Sequence, residues 1–303
     1  MIETVGVPAR ARRPSSYWRM RSLAGVGYAA PTAVMVTVFF LVPLALVFWM
    51  SMNDWKLLGT PTFNFPDNYS AIPDDVLLKG AIGFTLEYTA IVTVVLSAAA
   101  MGLALLVQET RPGTGMLRTA FFLPGAVGFA AASLLFYSIY SDGGPLDDLF
   151  MKLHLIHQPV GWLSTPGHAL FSTVVMVIWR FAGFNMLILL TGLQAIPTDV
   201  YEAARMDGGN RWQLFRHITL PLLRPTIALM LVLSITGSLL AFDQFFILTR
   251  GGPDGSTVSI VMVIYREAFT KFNLGLGAAI SVLLLVVLVV LNVLQLRILK
   301  RGE

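Results

Sequence analysis

Gln194-Ala-Ile-Pro-Thr-Asp-Val-Tyr-Glu-Ala-Ala-Arg-Met-Asp-Gly-Gly-Asn-Arg-Trp-Gln-Leu-Phe-Arg-His-Ile-Thr-Leu-Pro221 is the most polar stretch between two long apolar runs of a 303-residue chain. It reads as two short helices. Thr198 or Asp199 is placed to cap the first, and Asp207-Gly208-Gly209 to end it, because glycine accepts the left-handed backbone of a helix terminus. Asn210 caps the second, with Gln213 three residues on at the capping-box position. Isolated helices shorter than about 12–15 residues are marginal in water, so the pair is expected to dock on another body. Val200, Tyr201, Ala204, Trp212, Leu214 and Phe215 supply apolar surface for that docking, and Pro221 and Pro225 mark the start of the next helix.

Outward from this loop the chain is a membrane protein by composition: 56% of residues are hydrophobic and only 13% charged. A spanning helix needs about 20 apolar residues. Six segments qualify, at about 24–50, 82–107, 119–140, 170–193, 222–249 and 274–296, and the predicted fold is an all-α bundle of six transmembrane helices. The first follows a basic leader, residues 1–21 with Arg10, Arg12, Arg13, Arg19 and Arg21, and is too long for a signal-peptide core, so it reads as a retained anchor. Pro43, Pro124, Gly125 and Gly128 lie inside spans, where neighbouring helices can satisfy the freed backbone groups.

Loop cations set the direction. With the N-terminus inside, the cytoplasmic side holds the five leader arginines, Arg111, Arg118, Arg205, Arg211, Arg216, Arg224, Arg297, Lys300 and Arg301. The other side holds Lys56, Lys79, Lys152, Arg250, Arg266 and Lys271. Both termini and the 194–221 loop are therefore predicted to be cytoplasmic. The net charge of +4 is spread between apolar runs rather than gathered on one face, which excludes a nucleic-acid reading. The absence of cysteine removes disulfides and thiol chemistry.

Glu202-Ala203-Ala204, three residues, Gly208, nine residues, then Ile218-Thr219-Leu220-Pro221 resembles the EAA loop of ABC importer permeases. The resemblance implies that residues 194–221 form a coupling helix seated in a cytoplasmic ATPase, with Tyr201, Glu202, Ala203, Ala204, Asp207, Gly208, Trp212, Phe215, Leu220 and Pro221 at the contact. Leu248-Thr249-Arg250-Gly251-Gly252-Pro253, Ser256-Thr257, Ile264-Tyr265-Arg266-Glu267-Ala268-Phe269 and Trp179 with Gly183-Phe184-Asn185-Met186 are similar to the carbohydrate branch, of maltose and glycerol-3-phosphate type. The likeness runs from about residue 26 to 300. It implies a bacterial inner-membrane heterodimer with a homologous second permease, two copies of an ATPase and an extracytoplasmic sugar-binding protein. No cofactor is implied on this chain; ATP and Mg belong to the partner ATPase, and the chain shows no G-x-x-x-x-G-K-[ST] phosphate loop.

Charges within spans are costly and face a bundle interior or a water-filled cavity. Glu87, Arg180 and Asp243 qualify, the first two expected as structural charges, with an ion pair between Arg180 and an acid open to them. Asp243, with Trp179, Phe184, Asn185, Ser238, Leu240, Phe242 and Phe246, forms the candidate substrate path, since sugar hydroxyls need carboxylate or amide partners and sugar faces stack on aromatic rings. The competing description is helix packing by the same aromatics. His154 and His157 lack a third ligand and read as solvated loop residues, so no metal site is assigned. A six-span secondary transporter or channel would show internal halves, and an intramembrane enzyme a facing nucleophile and base; neither accounts for Glu202 through Pro221.

Overall fold

The computed structural model describes residues 28–109 and 111–300, with the side chains of 298–300 excepted. The basic leader and Arg301 lie outside the described residues, as does the start of the first span. Four helices are long and apolar enough to cross a bilayer unbroken: α1 (Tyr28–Ser51), α3 (Val76–Val107), α7 (Pro166–Gln194) and the C-terminal α12 (Leu274–Lys300, apolar to Arg297). Counted as one span each, two bent pairs bring the candidate spans among the described residues to six. At 1.5 Å per residue the 32 residues of α3 reach about 48 Å, beyond the roughly 30 Å hydrocarbon core.

Two of the long helices, α3 and α7, start on a polar cap that the sequence supplies. The Asp75 carboxylate accepts the Leu78 N–H (3.0 Å) at the head of α3. The Thr165 hydroxyl accepts the His168 N–H at the head of α7, where Pro166 fills the first turn that has no N–H to lose. Helices α3 and α7 form the centre of the bundle, with Tyr88, Val92, Leu96, Met176 and Val177 in one buried cluster and Ala100, Ala104, Met186, Leu189 and Leu223 in another. Beyond α1, a short ladder pairs β1 (Asn53–Asp54) with β2 (Thr62–Phe63), and α2 (Asp67–Ala71) presents Asn68, whose amide donates to the Ser51 and Asn53 carbonyls at 2.9 Å each.

Two expected spans are not straight helices. The 119–140 segment is α4 (Thr114–Phe122), a 3-10 turn (Leu123–Ala126) and α5 (Phe129–Ile139), bent by 95°. Pro124 has no N–H for the ladder, and the carbonyl freed at Val127 accepts the Arg180 Nε–H of α7 at 2.9 Å. The elbow fits because Gly183 has no side chain: a Cβ there would stand 1.8 Å from the Phe121 carbonyl oxygen.

The 222–249 segment is likewise broken. Its regular part, α10 (Arg224–Leu239), is only 16 residues, about 24 Å, and Leu240 to Phe242 leave the helix before a π-helical turn at Phe245–Thr249. The Ala241 carbonyl so released accepts the Ser259 hydroxyl (2.7 Å), and the Ile260 N–H finds the Thr85 hydroxyl (3.1 Å), as non-helical backbone at membrane depth requires. Between Thr249 and α12, α11 (Ile260–Tyr265) runs on into a second such turn, Arg266–Thr270.

After α5, α6 (Pro145–Lys152) buries Asp147. Burial by itself would raise this carboxyl, but the N–H groups of Val160 (3.1 Å) and Gly143 (3.0 Å) and the Trp162 indole (2.8 Å) all donate to it and hold it below the usual carboxylate range.

Candidate functional site

The quoted loop folds as α8 (Thr198–Met206) followed by α9 (Arg211–Leu222), the latter passing through a π-helical turn at Phe215–Thr219. The caps differ from expectation at one end. Pro197 is the N-cap residue of α8 and no side chain caps it; Thr198 and Asp199 are already inside the helix, and Thr198 Oγ1 meets Asp199 Oδ1 only at 3.5 Å. Proline fixes the entry angle through its own φ of −60°. At the other end Asp207 closes α8, Gly208 takes φ +83°, and the N–H groups of Gly208 and Gly209 return to the carbonyls of Arg205 and Ala204 at 3.0 Å. The second helix opens with a complete capping box: Asn210 Oδ1 accepts the Gln213 N–H (2.9 Å) while the Asn210 N–H donates to Gln213 Oε1 (2.8 Å).

The loop has two faces. Tyr201 and Leu214 turn toward the chain's own bundle, Tyr201 packing against the second buried cluster with its hydroxyl 3.0 Å from Thr219 Oγ1. Glu202, Ala203, Met206, Asp207, Gly208 and Trp212 turn outward, Met206 at 88% and Trp212 at 64% exposure, and Trp212 leans on Phe215 with 5.7 Å between ring centres. Leu220 is exposed and Pro221 half-buried, beside the 68° bend that joins α9 to α10. An exposed indole and methionine on a short helix pair mark a surface built to be covered.

At the far end of α10 lies a partly open cavity of about 160 Å³ between α3, α5, α7, α10 and Gln244. Its lining is apolar with convergent polar groups: Tyr88, Asn185, Ser234, Ser238 and Gln244 among Phe129, Phe181, Phe184 and Leu233. Gln244 donates to the Tyr88 hydroxyl (3.1 Å), the Asn185 amide to the Phe181 carbonyl (3.0 Å), and the Ser234 hydroxyl reaches Asn185 Oδ1 at 3.5 Å. Gly237 keeps the α10 wall open.

Of the sequence-derived path residues, Phe184, Asn185 and Ser238 line this cavity. Trp179 lines a separate groove beside the α4 elbow, with Phe121, Pro124 and Gly183. Leu240 and Asp243 are exposed on either side of the break after α10. Phe242 stacks on Phe246 (5.0 Å) and Tyr265 (5.2 Å), away from the cavity. Arg180 spans the Phe129 and Phe181 rings at 4.5 and 4.6 Å and bonds Val127; Asp243 is near enough to attract it electrostatically, but among the described residues no carboxylate stands within ion-pair contact. Glu87 is exposed on α3 and forms no ion pair among the described residues. Sequence reasoning did not find Gln244, Tyr88, Ser234, Gly237 or Phe181; the adjacent Asp243 drew attention from the amide that faces inward.

A family model described as the binding-protein-dependent transport system inner membrane component matches residues 111–301. Relatives include the trehalose/maltose transport system permease protein MalF of Thermococcus litoralis, 32% identical over 91% of this chain and 94% of the relative. Another is the probable starch degradation products transport system permease protein AmyD of Thermoanaerobacterium thermosulfurigenes, 29% identical over 91% and 94%. In fold the chain is similar to a subunit of a bacterial ABC transporter involved in the import of the acidic polysaccharide alginate, with a TM-score of 0.81 at 23% identity, covering 95% of this chain and 99% of that one.

Proposed function

Since the chain belongs to the binding-protein-dependent transport system inner membrane components, a multi-pass family of importer permeases, we propose that it is one membrane half of an ATP-driven importer of a sugar or oligosaccharide. ATP hydrolysis falls to a separate subunit. The sugar class is supported by relatives whose names carry trehalose, maltose and starch products. In this reading the chain pairs with a homologous second permease, two ATPase copies hold the α8–α9 loop from the cytoplasm, and a binding protein delivers sugar from the other side.

One observation carries the mechanism. Helix α10 starts at the bend after the loop, and its other end supplies Ser234, Gly237 and Ser238 to the cavity wall. A displacement of α8 and α9 by an ATPase is thereby delivered to the cavity through a single stiff rod of about 24 Å. Packing resists its bending: Gly192 of α7 lets Thr226 approach so closely that a Cβ would stand 2.4 Å from the Thr226 hydroxyl. Binding of a sugar hydroxyl by Asn185, Ser238 or Gln244, with Phe184 against a sugar face, gives the path its polar contacts.

The test is Glu202→Lys and Gly208→Val in the full complex. Loss of ATPase co-purification, or of the coupling between hydrolysis and uptake, is expected with the membrane part still folded. Retention of assembly and of coupled uptake in both variants overturns the coupling role.

A further inference from the structure

A second opening lies on the opposite face of the Phe245–Thr249 turn from the cavity just described, and the two share no residue. It is a cleft of about 630 Å³ between the head of α3, α5, that turn and α11. Leu77, Leu134, Ile247 and Met262 form its apolar floor, and Arg250, Arg266 and Lys271 its basic rim. Lys271 is paired with the buried Glu267, whereas Arg250 and Arg266 have no carboxylate partner among the described residues. Arg250 holds φ +53°, in the left-handed region that non-glycine residues seldom occupy, and its guanidinium lies 5.9 Å from the Tyr137 ring centre. Tyr265 packs between Phe246, edge-on at 5.0 Å, and Phe269, tilted at 5.3 Å.

We propose that this cleft binds an anionic glycerophospholipid: the phosphodiester headgroup between Arg250 and Arg266, the acyl chains on Leu77, Leu134, Ile247 and Met262. Tyrosines and arginines at the end of an apolar groove are the arrangement that a headgroup and its chains satisfy together, and guanidinium matches phosphate geometry. Transported sugar is disfavoured as the occupant because the cleft shares no lining residue with the cavity. With the α8–α9 loop on the cytoplasmic side, as proposed above, the cleft beyond the other end of α10 faces the extracytoplasmic leaflet; the lipid site itself does not depend on that reading.

The experiment uses the purified importer complex in nanodiscs of phosphatidylcholine alone or equimolar with phosphatidylglycerol, with retained lipid counted by native mass spectrometry after extraction. Wild type retains phosphatidylglycerol and not phosphatidylcholine, and retention falls as ionic strength rises. The Arg250→Gln, Arg266→Gln double variant holds it roughly thirtyfold more weakly, each cation near an anionic lipid contributing about fivefold, while the double lysine variant keeps most of it. Equal retention by wild type and the glutamine variant overturns the proposal. If that variant does not fold, salt-insensitive retention by wild type overturns it instead. Displacement of the lipid by a soluble uronic-acid trisaccharide reassigns the cleft to acidic cargo and likewise overturns it. Co-purification of the ATPase, read in the same samples, reports on the permease reading independently.

Discussion

Gly208 and Asp147 are single residues whose replacement has a calculable direction. At φ +83° a β-branched side chain is strained, so Gly208→Val is expected to destabilise the α8–α9 turn by about 1–2 kcal/mol, while Gly208→Asn, which tolerates this region, retains more ATPase binding in a pull-down. Nothing lies within 4 Å of a Cβ at Gly208, so the difference would report backbone conformation and not crowding. For Asp147 the folded carboxyl sits below its ordinary value, so its stabilisation is complete above the unfolded carboxylate pKa and is lost as pH falls through the lower, folded one. Asp147→Asn should lower stability by about 1–3 kcal/mol near neutral pH, because an amide cannot accept from three donors without turning its own NH₂ toward one of them. Thermal unfolding of the complex from pH 7 to pH 3 should show a shallower acid limb in the variant. The glycine was legible as a helix stop from the Asp-Gly-Gly triplet, but nothing around Asp147 announces that Val160 and Trp162, 13 and 15 residues on, return to it.

Among the elements, the α4–α5 elbow and the α10 break show where sequence reading lost resolution. Apolar length located both spans, because hydrocarbon solvent demands apolar residues whatever the helix does. It did not locate the bends, because the groups that satisfy the freed carbonyls come from elsewhere: Arg180 serves Val127 across 53 residues, and Ser259 serves Ala241 across 18. Pro124 and Gly125 signalled that a kink was permitted, not that it would reach 95°. Gly183→Ala should therefore act on a helix it does not belong to. Its Cβ would meet the Phe121 carbonyl at 1.8 Å, forcing the elbow outward at a cost of about 1–3 kcal/mol or more. Thermal unfolding of the complex would register it, and an unchanged melting temperature would mean that the elbow does not rest on α7.

For the whole molecule, the two-helix form of the 194–221 loop was readable because its information is local: a capping box, a glycine stop and spacing within 28 residues. The cavity was read only in part, because its polar contacts are long-range. Gln244 and Tyr88 stand 156 residues apart, and Ser234 and Asn185 stand 49 apart. Period and composition place none of these pairs face to face. If the cavity belongs to the sugar path, Ser238→Leu should cut uptake at least tenfold, about 1.4 kcal/mol in the barrier, while ATPase co-purification stays at the wild-type level. Asp243→Ala, outside the lining, should spare uptake and substrate preference more than Gln244→Leu does. The reverse order would return Asp243 to the path.

The hydroxyl that Ser259 lends to Ala241 also sets a schedule for biogenesis. Ala241 lies in the fifth apolar stretch, yet its partner is synthesised 18 residues later, beyond the next turn of chain. Before that serine is available, an unpaired carbonyl in lipid favours ordinary helix through this stretch, so the unwound form is expected to follow the synthesis of residue 259 rather than accompany the insertion of residue 241.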